Sequence, residues 1–240
     1  MKNSAISCKI ITLALETTGR LGSVAIGVEE KLSDEKTFSA PLRHNAELFV
    51  AINELLEKIG KTANQINQVH ISIGPGSFTG IRISVTVAKM MALAVQSKIV
   101  AVNTSDAMTL NIEDQSIHKI ATVIDAKRNQ FFIAAFERKN NLWEKLLPDC
   151  MMTAEQFKEK FDGEPISLLG EGLLYYSKKF ETENIKILNE KYWSPRASNI
   201  FKAGTQLAAQ GKFTDPVSLI PFYIRRPEAE ENWEKKIANL

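Results

Sequence analysis

Residues 69–96, VHISIGPGSFTGIRISVTVAKMMALAVQ, form the stretch that decides the fold of this chain. Val69–Ile73 is a short apolar run, which is typical of a buried strand. It leads into Gly74–Gly80, and from Ile81 to Gln96 the apolar residues recur at helical spacing. A strand, a glycine-rich loop and a helix in this order predict a helical crossover in an α/β sheet.

The glycine-rich loop allows two interpretations. Its glycines permit positive φ angles or the close approach of another backbone. Free N–H groups at the start of the following helix suit an anion, which Arg82 would help to hold. The loop is not a Walker A motif, because Ile81 stands where that motif needs lysine, and Gly80 comes one residue late for G-x-G-x-x-G. An anion-binding loop and a tight packing turn both stay open.

The helix after the loop is apolar on almost every side, since only Arg82, Lys89 and Gln96 are strongly polar. Such a helix is usually buried on both faces. The face expected on the sheet consists of Ser84, Val85, Val87, Ala88, Met91, Ala92 and Val95. The opposite side is either covered within the chain or meets a partner protein, and it carries Ile83, Met90, Leu93 and Ala94.

The segments around this stretch predict a first α/β lobe over residues 1–105. Asn45–Ile59 places its apolar residues on one helical face and ends before Gly60. Further apolar runs predict strands at Ile10–Leu15, Ser23–Val28, Lys31–Phe38 and Ile99–Asn103. The first three of these strands follow one another closely, which predicts an antiparallel meander.

A second lobe is predicted over residues 106–216. It begins with a hairpin, Ile120–Asp125 and Phe131–Glu137, around a turn at 126–130. Later elements are a helix Thr153–Phe161 with a capping box, a strand Ile166–Leu169, a helix Gly172–Phe180, and a helix Ser198–Gln210 capped by Ser198 and stopped by Gly211. The segment 217–240 is expected to be largely extended and to complete the first lobe.

Composition excludes several classes of protein. The 240 residues are 44% hydrophobic, with 30 basic against 28 acidic side chains, which argues against disorder and against a stand-alone nucleic-acid-binding domain. Cys8 and Cys150 fit neither a zinc motif nor a disulfide framework. No apolar run approaches the roughly 18 residues of a membrane span, and Ile10–Leu15 is too short for a signal peptide. A cytoplasmic globular protein is expected.

Several short motifs together resemble one known family. They are Leu15–Thr18 (LETT), Arg43–Leu48 (RHNAEL), Gly74–Ile83 (GPGSFTGIRI), Asp125–Arg128 (DAKR) and Ile220–Arg225 (IPFYIR). On these motifs the chain resembles the TsaB family, also called YeaZ. The motif positions carried over are Arg43, His44, Glu47, Gly74, Pro75, Gly76, Ser77, Phe78, Thr79, Gly80 and Arg82.

The resemblance implies an α/β fold of the actin/Hsp70/sugar-kinase type, with two ribonuclease-H-like lobes and mixed sheets. It implies a cytoplasmic, non-catalytic subunit in the synthesis of threonylcarbamoyladenosine (t6A) on tRNA, which binds and activates the transferase TsaD together with TsaE. tRNA would be reached only through the complex. No catalytic residue, metal or cofactor is expected in the isolated chain, and the interface of the complex leaves room for ATP or ADP.

The contact with TsaD is expected on a ridge formed by the helices at 45–59 and 81–96. Its residues would be Val50, Ala51, Ile83, Met90, Leu93 and Ala94. In the absence of TsaD, the same ridge could form a homodimer by two-fold self-complementarity.

The residues themselves argue against chemistry in this chain. None of its histidines, His44, His70 and His118, lies four residues from another, so the metal-binding pair of TsaD has no counterpart. The turn at 126–130 has no glycine, whereas an ATP-binding lobe of this fold needs a second phosphate loop there. Glu16 stands where many members have Asp, and its longer side chain would displace a magnesium ion. The alternative functions are an ATP-dependent kinase of the same fold and a metalloprotease.

Two candidate sites keep a purely structural alternative. His44 either meets a partner or is a polar residue near the helix cap. Asp125 and Arg128 are either a remnant carboxylate beside a phosphate binder or ordinary turn residues. No stacking platform for bases is evident, because the tryptophans are scattered at Trp143, Trp193 and Trp233.

Overall fold

The computed structural model describes residues 9–39 and 44–225, and Trp233 beyond them. The strands of its first sheet are β1 (Ile11–Glu16), β2 (Leu21–Val28), β3 (Lys31–Ser39), β4 (Gln68–Ser72) and β5 (Lys98–Val102), and the helices between them are α1 (His44–Lys58) and α2 (Phe78–Val95). The predicted elements of this lobe are confirmed. Helix α2 begins earlier than predicted because the Ser77 side chain caps it by accepting the Gly80 N–H.

The second sheet contains β6 (Lys119–Asp125), β7 (Phe131–Lys139), β8 (Leu142–Met152), β9 (Ile166–Leu169) and β10 (Ile185–Ile187). The helices in this part of the chain are α3 (Thr104–Thr109), α4 (Ala154–Lys160), α5 (Leu173–Phe180) and α6 (Ala197–Ala209). The predicted capping box of α4 is confirmed at Thr153 and Gln156. Strands β8 and β10 are absent from the prediction, because β8 carries charged residues and a proline and β10 has only three residues.

Both sheets have the same strand order and the same strand directions. The first has the order β3-β2-β1-β4-β5, and the second has the order β8-β7-β6-β9-β10. In each sheet the first three strands of the lobe pair antiparallel, and the last two run parallel to the first. The chain therefore contains the same mixed α/β unit twice.

The first sheet is covered on both faces. Alternate residues of a strand point to opposite faces, so Leu13 and Leu15 of β1 join the core under α1 and α2, whereas Ala14 joins the core under α6. Helix α1 lies over β2 and β3, and α2 lies over β4 and β5. The outer surfaces of α1 and α2 thus belong to one side of the first lobe.

Helix α6 packs on the first sheet, although the predicted boundary assigns it to the second lobe. Its Phe201 reaches Gly27 of β2, where a Cβ atom would lie 2.2 Å from the ring, and its Gly204 lies against the His70 ring. The predicted cap is also wrong, because Arg196 is the N-cap residue and Ser198 instead donates its N–H to Glu35. Tertiary packing of this kind leaves no local signal in the sequence.

The start of the tail packs on the first lobe. Leu219 is buried in the first core, and Phe222 donates its N–H to the Ile73 carbonyl at 2.9 Å. Of the predicted segment 217–240, residues 226–232 and 234–240 lie outside the described residues.

Within the described residues, α2 is long and apolar enough to cross a membrane by length and composition alone, although Arg82 and Lys89 interrupt its apolar run. Six of its residues, from Gly80 to Ala88, are buried against the first sheet, as in a core helix. The unusual feature of α2 is that its exposed side is apolar as well.

Candidate docking face and interlobe cleft

The glycine-rich loop is locked to the turn that follows β1. Ser77 donates its N–H to the Thr18 carbonyl at 2.8 Å, and the Thr17 hydroxyl donates to the Gly80 carbonyl at 2.7 Å. A Cβ atom on Gly80 would lie 1.7 Å from the Thr17 carbonyl oxygen, and one on Gly76 would lie 2.6 Å from Thr18 Cβ. Of the two interpretations of the loop, the structure supports the packing turn, because its glycines admit another part of the chain.

Glu16 ends β1 next to this loop and is fully buried. Its Oε1 accepts the Thr18 N–H at 2.5 Å and the Thr18 hydroxyl at 2.6 Å, while Oε2 has no hydrogen-bond partner among the described residues. Burial raises the pKa of Glu16 to about 7, and the hydrogen bonds from Thr18 offset only part of that effect. Glu16 therefore acts as a structural group that shapes the turn after β1.

A cleft of about 810 Å³ lies between the two lobes. The first lobe lines it with the turn after β1, the glycine-rich loop and the tail segment 222–225. The second lobe lines it with the turn at 126–130 and the start of α5. The charged residues in this lining are Arg20, Asp125, Lys127, Arg128, Glu171 and Arg225.

Gly172 lines the cleft and belongs to a second glycine pair, which the sequence patterns did not predict as a site. Gly170 and Gly172 stand between β9 and α5, as the glycine-rich loop stands between β4 and α2. A Cβ atom on Gly170 would lie 2.2 Å from the Val123 carbonyl oxygen. Between them, Glu171 accepts the Arg20 N–H at 2.7 Å and the Ser194 hydroxyl at 2.8 Å. The sequence pattern that could have revealed this pair is two glycines between a predicted strand and a predicted helix.

The turn at 126–130 is stabilised by Asp125, the residue that precedes it. Asp125 accepts the Lys127 N–H at 2.7 Å through one carboxylate oxygen and pairs with the Lys127 ammonium at 2.7 Å through the other. This supports the interpretation of Asp125 as a turn residue. Lys127, Arg128 and Asn129 all have positive φ angles, between 54° and 63°.

The docking face is defined here by the exposed apolar residues of α1 and α2: Phe49, Val50, Met90, Leu93 and Ala94. Leu93 is the most exposed of the four large side chains on this face, at 88%. Phe49 was not among the residues predicted for this surface. Ala51 was predicted to belong to this surface, and that prediction is wrong, because the side chain is 6% exposed and packs in the first core. Ile83 is half-buried and packs against the same core.

Two other motif positions, Phe78 and Arg82, contact the tail. The Phe78 ring stacks on Tyr223 at 4.7 Å, and the Arg82 guanidinium lies 3.9 Å above Phe78 and donates to the Tyr223 hydroxyl. The glycine-loop and tail motifs therefore contact each other. Glu47 is half-buried in the first turn of α1. Arg43 lies outside the described residues, and His44 is described only as the first residue of α1.

Among residues 9–39 and 44–225, no three His, Cys, Asp or Glu side chains come close enough to hold a metal ion. His70 is buried, and burial lowers its pKa to about 4. His118 is exposed, Cys150 is a free thiol, and Cys8 lies outside the described residues.

Two ribonuclease-H-like units that face each other across a cleft define the class of this protein, the actin/Hsp70/sugar-kinase-like fold. A Pseudomonas aeruginosa structure described as similar to peptidase YEAZ has a TM-score of 0.79 and 20% identity, over 90% of this chain and all of that one. YeaZ from Pseudomonas aeruginosa has a TM-score of 0.78 and 20% identity, over 89% of this chain and 99% of that one. The predicted fold class is confirmed.

A family model described as TsaD, tRNA N6-adenosine threonylcarbamoyltransferase, matches residues 39–233, and the chain belongs to that family. Its relatives include proteins named tRNA threonylcarbamoyladenosine biosynthesis protein TsaB. The one from Bacillus subtilis is 28% identical over 92% of this chain and 96% of its own length, and the one from Escherichia coli is 23% identical over 93% and 96%. The resemblance to TsaB found in the motifs is confirmed.

Proposed function

We propose that this chain is a non-catalytic partner of a TsaD-type transferase in the synthesis of t6A on tRNA. It binds the transferase through the docking face and favours the active arrangement of that enzyme. The observation that carries the proposal is the docking face itself, where α1 and α2 turn large apolar side chains outward from a well-packed lobe. Met90, Leu93 and Ala94 are three and four residues apart on α2 and are therefore neighbours on its surface, and contiguous exposed apolar residues mark interaction sites.

The docking face has the composition and rigidity that a protein interface needs. Phe49 and Met90 belong to the residue types enriched at interfaces, and Leu93 supplies an exposed apolar knob. The helices beneath them are fixed, because Leu48 and Ile52 of α1 and Val85 of α2 lie in the first core. A preformed surface loses little conformational freedom when it binds.

The side chains near the cleft support a partner role rather than an enzymatic one. Asp125 is engaged with Lys127, and Glu16 is engaged with Thr18. The glycine-rich loop admits Thr17 instead of presenting an open cradle. The relatives named TsaB are described as biosynthesis proteins of the same modification. Binding of TsaE, homodimer formation without the transferase, and a cytoplasmic location belong to the same proposal.

The test is a calorimetric titration of the TsaD-type transferase from the same organism into the chain. Leu93→Asp is expected to weaken binding at least tenfold, because a charge would be buried without a partner at the interface. The matched control is Leu142→Asp, which places the same charge at a 68% exposed leucine in β8 of the second lobe. Equal affinities of Leu93→Asp and wild type would refute the interface.

A further inference from the structure

The two lobes are joined at a hinge where the chain crosses between them twice. The first crossing is α3, whose Ala107 joins the core under α6 while Met108 joins the core of the second lobe. The second crossing is the segment 193–197, which runs from Trp193 in the second-lobe core to Ala197 in the core under α6. Because each lobe has a core of its own, the contacts at these crossings help to set the angle between the lobes.

The two crossings are tied together by Asn111, which follows α3. Its side-chain amide donates to the Tyr192 carbonyl at 2.8 Å and to the Ser194 carbonyl at 3.0 Å. Its side-chain oxygen accepts a hydrogen bond from the Asn199 amide of α6 at 2.7 Å. These bonds hold the second crossing against the end of the first.

Glu171 holds the second crossing from the side of the cleft, which it lines. The side chain is partly buried, and its Oε1 accepts the Ser194 hydroxyl at 2.8 Å. Its Oε2 accepts the Arg20 N–H at 2.7 Å, from the turn after β1 in the first lobe. One carboxyl group thus joins the second lobe, the second crossing and the first lobe. A charged acceptor makes such hydrogen bonds stronger than bonds between neutral groups.

The segments around Glu171 approach one another closely. A Cβ atom added to Gly19 of the first lobe would lie 2.9 Å from Pro195 Cγ in the second crossing and 3.4 Å from Oε1 of Glu171. The loop that carries Glu171 is held on β6, because the Gly172 N–H donates to the Val123 carbonyl at 3.0 Å. The carboxyl group is therefore fixed between the backbones of the two lobes.

Arg20 adds a second link between the lobes beside Glu171. Its guanidinium donates to the Tyr175 hydroxyl of α5 at 3.0 Å and lies 5.4 Å from the centre of that ring. The backbone and the side chain of Arg20 therefore contact the second lobe at two successive points. The Tyr175 side chain is 72% exposed, so we expect this link to fix the lobes less firmly than the bond to Glu171.

We propose that Glu171 is an interlobe lock, a positioning residue that fixes the angle between the two lobes and so keeps the cleft at one width. Hinge motion is a common way in which a two-lobed protein changes the width of its cleft. Here one side chain bonds to a crossing and to the facing lobe at the same time. A fixed angle lets both lobes meet a partner as one rigid body, which lowers the conformational cost of binding.

The test is the distribution of distances between two spin labels, one on each lobe, measured by double electron–electron resonance on the full chain. The labels replace exposed residues, with Glu57→Cys in α1 and Glu159→Cys in α4, in a background that carries Cys8→Ala and Cys150→Ala. With Glu171 present, we expect one narrow distribution. Glu171→Ala should widen it at least about twofold, because a hinge that is no longer fixed samples several angles.

Glu171→Gln is the conservative variant. Its side-chain oxygen can still accept the Arg20 N–H, and its NH2 group can donate to the Ser194 oxygen, so most of the narrow distribution should return. Glu190→Ala is the matched control, because it removes an exposed glutamate shortly before the second crossing, and it should leave the distribution unchanged. If Glu171→Ala does not fold, Ser194→Ala removes one of the two bonds and should cause a smaller widening.

A distribution in Glu171→Ala as narrow as that of the wild type would overturn the inference. Equal widening in Glu190→Ala would overturn it as well, and so would a wild-type chain that shows two separate distances. The isolated chain is used throughout, so the result does not depend on whether the docking face binds the transferase.

Discussion

Gly80→Ala is expected to lower the free energy of unfolding by more than about 4 kcal/mol, a loss seen only for severe packing defects. The new Cβ atom would lie 1.7 Å from the Thr17 carbonyl oxygen and 2.7 Å from its carbonyl carbon. Both are backbone atoms, so no side chain can rotate away. The turn after β1 and the start of α2 would have to separate, which breaks the contact between Thr17 and Gly80.

Urea unfolding of this variant is compared with that of Gly60→Ala. Gly60 also has a positive φ angle, 63°, but a Cβ atom added there would meet none of the described residues within 4 Å, so the loss should be about 1–2 kcal/mol. If Gly80→Ala does not fold, Thr17→Val tests the same contact. It keeps the shape but leaves the Gly80 carbonyl without its donor, for a loss of about 1–3 kcal/mol. Equal losses at Gly80 and Gly60, or no loss at Thr17, would show that the two segments are not locked together.

Glu16→Gln is expected to remove a change of about 3 kcal/mol in the free energy of unfolding that the wild-type carboxyl group causes between pH 4.5 and 7. Burial raises the pKa of Glu16 from 4.5 to about 7, so between these values the folded chain holds a proton that the unfolded chain has released. The free energy of unfolding therefore falls as pH rises through this range, and the gap between the two pKa values corresponds to about 3 kcal/mol. Glu16→Gln has no carboxyl group to titrate at this position, so its free energy of unfolding does not show this fall.

The titration of His70 changes stability with pH in the opposite direction from that of Glu16. In the wild type it therefore offsets most of the pH dependence that Glu16 causes. Burial lowers the pKa of His70 from 6.5 to about 4, so its contribution to stability is complete above pH 6.5 and is lost as pH falls toward 4. Between pH 4.5 and 6.5, the fall in stability that Glu16 causes and the rise in stability that His70 causes nearly cancel. In Glu16→Gln the histidine acts alone, and the variant should become more stable as pH rises.

Urea unfolding at several values between pH 4.5 and 7.5 measures this difference. Glu57→Gln removes an exposed carboxylate of α1, and its profile should run parallel to that of the wild type. A Glu16→Gln profile that is also parallel would mean that Glu16 is ionised in the folded chain throughout this range.

The first lobe could be predicted from the sequence because its signals are local. Apolar runs mark β1, β4 and β5, and helical spacing marks α1 and α2. The apolar outer side of α2 was also visible, so Met90, Leu93 and Ala94 were found as candidates for a docking face. Ala51 was misplaced because an alanine fits equally well in a core and at its edge, and only the packing of α1 on β2 and β3 decides.

The features that the sequence did not reveal depend on contacts between distant segments. The glycine-rich loop resembles an anion site until Thr17 is placed against Gly80. Helix α6 reaches the first sheet by fitting Phe201 against Gly27, residues that are far apart in the chain. The interlobe cleft brings together the turn after β1, the start of α5, the turn at 126–130 and the tail, and each of these segments alone shows only scattered charges.

The central claim is that the chain acts by binding the transferase through the docking face, and site-specific photo-crosslinking tests it most directly. A benzophenone amino acid is placed at Leu93 in one sample and at Leu142 in the other, and each is irradiated with the TsaD-type transferase. We predict a crosslink to the transferase from position 93 and none from position 142. A crosslink from position 142 with none from position 93 would contradict the claim.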